Sequence, residues 1–484
     1  MLASGAMSFV QVEFLGFLLV VFCVYWALQR LAWQNRLLLV ASYVFYGWVH
    51  PGLGLLLAAV TMVNYLAGRA IVARPDLGAR IVGAATALCI LTLCGFKYFG
   101  WFVDAFAAVL PESVTLLRVG LPLGLSFYTF HNLAYTIDVH RGRVKMEPSV
   151  ETYLLYGSYF PQLVAGPVER PSNMFPQFNT PRQFDLGKLR SGLGLALWGA
   201  FKKIAIADTI SPFVDMLFAH PDPSWAMVWA GALGFTVQAL ADFSGYTDIA
   251  RGSSRMLGIE LMKNFNHPYL AATPMEFWQR WHISFSTWLR DYVYLPACFS
   301  PFVRQWVTIP FTGEWSPFWH TTRALFITML ASGIWHGSTW NFVVWGLYHA
   351  SMATAYTWVM SKLPKQLKKQ KGWRWGTVPL QFGVTVFGMY LFREPLLANS
   401  WARLQLNPFA GTRDEWIVAV SMVGLCVAGA IPLVAGLVAE RYVIPRLRDL
   451  PVYLPLQTTA WAVFALAVFS SVRTTATDFI YFQF

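Results

Sequence analysis

The chain has 484 residues, of which 56% are hydrophobic, 17% aromatic and only 12% charged. A soluble globular protein carries roughly 25% charged residues, so a water-borne fold with a polar shell is excluded. Lys and Arg outnumber Asp and Glu by 36 to 24, a net charge of +12; in so apolar a chain that excess fits loops held on the cytoplasmic side of a membrane, and no nucleic-acid partner is expected.

In chain order, Phe9–Leu28 lacks a basic leader and a small-residue cleavage site, so it reads as a retained first helix and not as a removed signal peptide. Long runs without Asp, Glu, Lys or Arg follow at Leu37–Leu66, Ile81–Phe96, Val119–Ile137, Ala324–Met360 and Ile417–Ala439. Several exceed the ~20 residues that cross a bilayer core as a helix. Basic clusters punctuate them at Arg30/Arg36, Arg69/Arg74/Arg80, Arg141/Arg143/Lys145, Lys362–Arg374 and Arg441/Arg446/Arg448. An N-terminus outside, followed by alternating crossings, puts all five clusters on one side, and the loops assigned to the other, around 100–118 and 395–415 with the tail after 472, hold only Arg118, Arg403, Arg413 and Arg473. We expect an all-α, polytopic protein of roughly 11 transmembrane helices with short or re-entrant pieces between them. The five cysteines, Cys23, Cys89, Cys94, Cys298 and Cys426, are widely spaced and suggest neither a disulfide framework nor a zinc site.

The region from about 120 to 350 differs in kind. It stays apolar yet is laced with Gly, Pro, Asp, Asn, Arg and His, which are costly at membrane depth unless they face protein or a wet cavity. In Pro161–Pro167, prolines at both ends disfavour one straight helix and predict a kinked or re-entrant piece. Asp242–Asp248 sets two carboxylates after a hydrophobic run, and Lys263–Tyr269 is a polar connector. Across Phe277–Tyr292, helical spacing gives an aromatic stripe of Trp278, Trp281, Phe285, Trp288 and Tyr292, flanked by polar residues that include His282, Arg290 and Asp291. That pattern fits the floor of a cavity or an interfacial amphipathic helix, and leaves both open.

His336 lies inside Ala324–Met360, in the tetrapeptide Ile334-Trp335-His336-Gly337. Counted from Arg323 it sits roughly 20 Å along a helix. An ionisable residue there is a functional candidate; the alternative is a neutral histidine hydrogen-bonded between helices. His349 and His131 are weaker candidates of the same type. A desolvated imidazole stays neutral and remains a competent base. No HExxH motif, i,i+4 histidine couple, GxSxG elbow or P-loop is present, so no metal, serine nucleophile or nucleotide hydrolysis by those devices is expected.

The WxRWH segment around Trp278, Trp281 and His282, followed by Trp335-His336-Gly337, resembles the membrane-bound O-acyltransferases. Pro122–Phe127, Tyr135–Val139, Phe160–Pro167, Asp242–Asp248 and Asn264-Phe265-Asn266 match further family blocks in the same order. The likeness is greatest to the bacterial branch that O-acetylates alginate and similar exopolysaccharides, with the branch that passes D-alanine to teichoic acids a relative. It implies a single integral-membrane domain over 1–484, with a catalytic core at about 120–360 and a ring of helices around a tunnel.

By the same resemblance His336 would be the catalytic base and His282 its polar companion. His282 and donors such as Asn341 would steady charge on the thioester oxygen. Trp335, Trp278, Trp281, Asp242, Ser244, Tyr246, Asp248, Asn264, Asn266, Arg290 and Asp291 would shape and hold the tunnel. No permanently bound cofactor is implied. The acyl donor would be acetyl-CoA, or a carrier-protein thioester as in the D-alanine branch. An extracytoplasmic SGNH-like acyltransferase would complete transfer outside the bacterial inner membrane. Two departures stand out: Ala297-Cys298-Phe299-Ser300-Pro301 replaces a Gly-rich basic turn, and His131 stands where relatives often have Gln. Cys298 is either an ordinary membrane cysteine or an acyl-carrying thiol. A proton-coupled transporter is the reading from another class, against which the lack of repeat symmetry counts.

Overall fold

The computed structural model describes residues 7–48, 51–106, 122, 124–164, 166–300, 317–364, 366, 372–447 and 449–472. Arg118, Arg473, Pro301 and part of the Lys362–Arg374 loop, all used in the sequence reading, lie outside the described residues. Every regular element among the described residues is helical, and no strand occurs. The all-α expectation therefore holds.

Among the described residues, five helices are long and apolar enough to cross a bilayer: Gly52–Ala73, Pro75–Gly100, Trp225–Met256, Arg413–Leu447 and Tyr453–Ser471. The expected count of roughly 11 is not reached on that basis. Pro317–His336, Trp340–Lys362 and Trp373–Arg393 have comparable lengths, at 20, 23 and 21 residues. They carry His, Asn, Thr and Gln that dilute their hydropathy, as helices lining a polar interior do. Val420, Ile431, Leu466 and Phe469 are 62–84% exposed along otherwise spanning helices. Apolar surface on that scale is stable against lipid and not against water.

The chain divides into two compact units, Met1–Ala200 with Tyr246–Lys263, and Phe201–Gly245 with Asn264–Phe484. In the first unit, three buried tyrosines satisfy their hydroxyls across helices. Tyr153 donates to Asn132 Oδ1 at 2.7 Å, Tyr156 donates to the His131 carbonyl at 3.0 Å, and Tyr159 pairs with Ser254 Oγ at 2.9 Å. The Pro161–Pro167 segment is broken as its prolines require. Val150–Ser158 ends before a four-residue helix, Phe160–Leu163, and the next helix is Pro171–Phe178. His131 is fully buried, with Nε2 3.4 Å from the Pro167 carbonyl, which ties its helix to that break.

In the second unit, Pro317–His336 and Trp340–Lys362 form a tight antiparallel hairpin. A Cβ at Gly333 would overlap the Phe342 carbonyl oxygen, and one at Gly346 would overlap that of Met329. Glycine at those two positions lets the backbones touch. The uncharged run Ala324–Met360 is thus two helices rather than one, and His336 is the last residue of the first.

Candidate active site

The local fold around His282 begins with the connector after Asn264. The Asn266 N–H donates to the Arg280 carbonyl at 2.9 Å, and the Ile283 N–H donates to the Asn264 carbonyl at 2.9 Å. These bonds lace the connector to the turn and break the aromatic segment into Pro274–Trp278 and Ile283–Leu289, with a π-helical turn at Arg290–Tyr294. The single helix implied by the aromatic spacing is therefore corrected. His282 sits at the break with φ 44°, a left-handed conformation that costs a non-glycine residue about 1–3 kcal/mol and is found chiefly at functional sites. Thr273 caps the first piece by accepting from the Glu276 N–H at 2.9 Å. Glu276, outside any spanning helix, accepts from the Ala272 N–H and pairs with Arg374 and Arg280. Burial alone would raise its carboxyl pKa, but these donors and charges outweigh burial and hold it below the ordinary value.

The His282 side chain is 2% exposed. Its ring lies 4.7 Å from Phe243, 5.0 Å from Phe285 and 6.5 Å from Trp335, centroid to centroid. His336, 7% exposed, is held by Trp335 at 4.6 Å, Trp345 at 5.0 Å and Phe392 at 4.9 Å, with Phe285 at 6.3 Å. Phe285 and Trp335 therefore stand beside both histidines. Both histidines line one cavity of about 240 Å³, together with Trp278, Trp281, Phe285, Ser286, Arg290, Tyr294 and Ser332. Of the two readings of the aromatic segment, the cavity wall is the one observed. Trp278 Nε1 is buried and makes no hydrogen bond, which leaves a donor in that wall.

The other candidates separate. Asn264 holds His282 directly, with Oδ1 3.1 Å from Nδ1. Asn341 is buried but turned elsewhere: its Nδ2 donates to Ser400 Oγ at 2.8 Å and reaches the Leu391 carbonyl at 3.5 Å. It braces two helices rather than offering a donor to the cavity. Asn266 is exposed, and Arg290, exposed at the cavity, pairs with Asp291 at 2.8 Å. Tyr246 and Asp248 belong to the first unit, where the Tyr246 hydroxyl meets Ser8 Oγ at 2.5 Å and Asp248 pairs with Arg251 at 3.0 Å.

Asp242 and Ser244 lead to residues the sequence reading missed. Lys203, 1% exposed, lies 2.7 Å from Asp242 and 2.8 Å from Asp208, and Lys202 Nζ donates to Ser244 Oγ at 2.9 Å. Both lysines sit in a π-helical turn, Phe201–Ala207, a form concentrated at functional sites. Phe243, between the two gripped residues, is the ring against His282. The available signal was a lysine pair directly after the uncharged run Gly192–Phe201.

The model of the membrane-bound O-acyltransferase family matches residues 139–393, and the chain belongs to that family. It is a multi-pass membrane protein and an O-acyltransferase, and the transporter alternative is set aside. Within the family it is similar to the "probable alginate O-acetylase AlgI" of Azotobacter vinelandii, 36% identical over 405 residues covering 82% of this chain and 77% of the relative. The "peptidoglycan O-acetyltransferase" of Helicobacter pylori is 30% identical over 76% of this chain and 72% of its own length. The "teichoic acid D-alanyltransferase" of Bacillus subtilis is 27% identical over 56% of this chain and 68% of its own.

Proposed function

We propose that the protein moves an acetyl group from a cytoplasmic thioester across a bacterial inner membrane, towards hydroxyls of an exported polysaccharide or cell-envelope polymer. The observation that carries this reading is the pair of buried histidines in one mostly apolar cavity. The apolar walls of such a cavity disfavour water around a thioester while a histidine offers a base. Its volume suits the acyl end of the donor. The O-acetylating relatives favour acetyl as the group and acetyl-CoA as the donor. A carrier-protein thioester and D-alanine form the second reading, favoured by the likeness to D-alanyltransferases. In either reading the basic loops face the cytoplasm, and an extracytoplasmic SGNH-like acyltransferase finishes delivery to the polymer.

The chemistry balances without a metal or redox partner. One histidine of the pair takes the proton from an acceptor hydroxyl, and the oxygen bonds to the carbonyl carbon. The C–S bond then breaks, and the departing thiolate takes the proton back. Membranes supplied with radiolabelled acetyl-CoA test the reading. His336→Ala and His282→Ala should each lower transfer by about 100-fold or more, with wild-type amounts of protein in the membrane. Normal acylation by His336→Ala would remove the mechanism.

A further inference from the structure

Three polar groups converge on one oxygen beside His282. Asn264 Oδ1 accepts from the Ser284 N–H at 3.2 Å and from Ser284 Oγ at 3.0 Å, and lies 3.1 Å from His282 Nδ1. Asn264 is 1% exposed, and its Nδ2 makes no hydrogen bond. The amide orientation is therefore fixed by its oxygen. A backbone N–H can only donate, so the atom facing Ser284 must be the carbonyl oxygen and not the NH₂ group. An acceptor that faces His282 Nδ1 requires Nδ1 to carry the proton. In the neutral ring the proton is then absent from Nε2.

We propose that Asn264 is a positioning residue that holds His282 as the Nδ1–H tautomer, so that Nε2 is the proton-accepting nitrogen of the histidine pair. This rests on the reading that the cavity performs acyl transfer. It changes the role expected of His282. Donation to a thioester oxygen needs an Nε2–H, which the neutral ring in this tautomer does not have. His282 instead takes the acceptor's proton at Nε2 as the hydroxyl oxygen bonds to the carbonyl carbon, and returns it to the sulfur as the C–S bond breaks. The left-handed backbone at His282 and the Phe243 ring fix the imidazole at the wall of the cavity. The charged and titratable groups around it are Arg280 on its own turn, His267 on the connector, Asp242 beside Phe243, and His336, Arg290 and Tyr294 at the cavity. Among the described residues none of these bonds to Asn264 Oδ1.

Asn264→Asp is the informative variant, because all three partners of the oxygen are donors and a carboxylate keeps every bond. A negative charge 3 Å from Nδ1 favours the protonated ring, so the rising limb of the pH–rate profile should move up by about one pH unit or more. The acetyl-CoA KM should change little. Asn264→Ala should lower kcat at least tenfold. A profile for Asn264→Asp that superimposes on the wild type would overturn the proposal. Should the variants fail to fold, ¹⁵N spectra of histidine-labelled wild-type protein, assigned by difference against His282→Ala, give the answer directly. Nδ1 protonated and Nε2 bare is the expected result, and the reverse tautomer overturns it. A fully active His282→Ala would instead remove the reading of the site, which keeps the two failures distinct.

Discussion

Lys203 places a full positive charge at a position 1% exposed, between the carboxylates of Asp208 and Asp242. Removing one member of a buried ion cluster strands the others, which costs about 3–5 kcal/mol. Lys203→Met should therefore lower the thermal unfolding midpoint of the detergent-solubilised protein by several degrees or prevent its accumulation. An unchanged midpoint would contradict the cluster's structural role. This arrangement was only half legible in the sequence. Asp242 stood out because a carboxylate in an apolar run demands a partner. Its partner lies 39 positions earlier in a π-helical turn, a spacing that no periodicity reports. Asn341 erred in the other direction: proximity to His336 in sequence suggested a donor to the site, whereas the side chain bonds to Ser400, 59 residues on.

Among the elements, the hairpin of Pro317–His336 and Trp340–Lys362 positions His336, and its spacing depends on two glycines. A methyl group at Gly346 overlaps the Met329 carbonyl, so Gly346→Ala must push the helices apart or bend one of them. Overpacking of that kind costs about 1–3 kcal/mol. The displacement is passed to Trp345, whose ring lies 5.0 Å from His336. Both the unfolding midpoint and the transfer rate should fall, measured on the same purified sample; a stable and fully active variant would contradict the account. The long uncharged run showed that helix was present here. It could not show the turn at Gly337–Thr339, because an apolar run reads alike as one helix or two. The break at His282 was hidden for a related reason. The aromatic spacing is helical on both sides, and what interrupts it is hydrogen bonding to a connector that lies outside the segment.

At the level of the whole molecule, composition already required a lipid solvent. Helices such as Tyr453–Ser471, with Leu466 and Phe469 exposed, bear that out. The number of crossings was less legible, since helices that serve the site exchange apolar residues for His, Asn and Thr and lose the signature by which spans are counted. The central claim joins the histidine cavity to passage of an acyl group through the membrane. Inverted membrane vesicles, with the cytoplasmic face outward, test it directly when radiolabelled acetyl-CoA is added outside. With the wild-type protein in the membrane and both the extracytoplasmic acyltransferase and the polymer acceptor enclosed, label should accumulate on luminal polymer, and with His336→Ala it should not. Equal luminal label with and without His336, or label that never leaves the outer face with the wild type, would contradict the account.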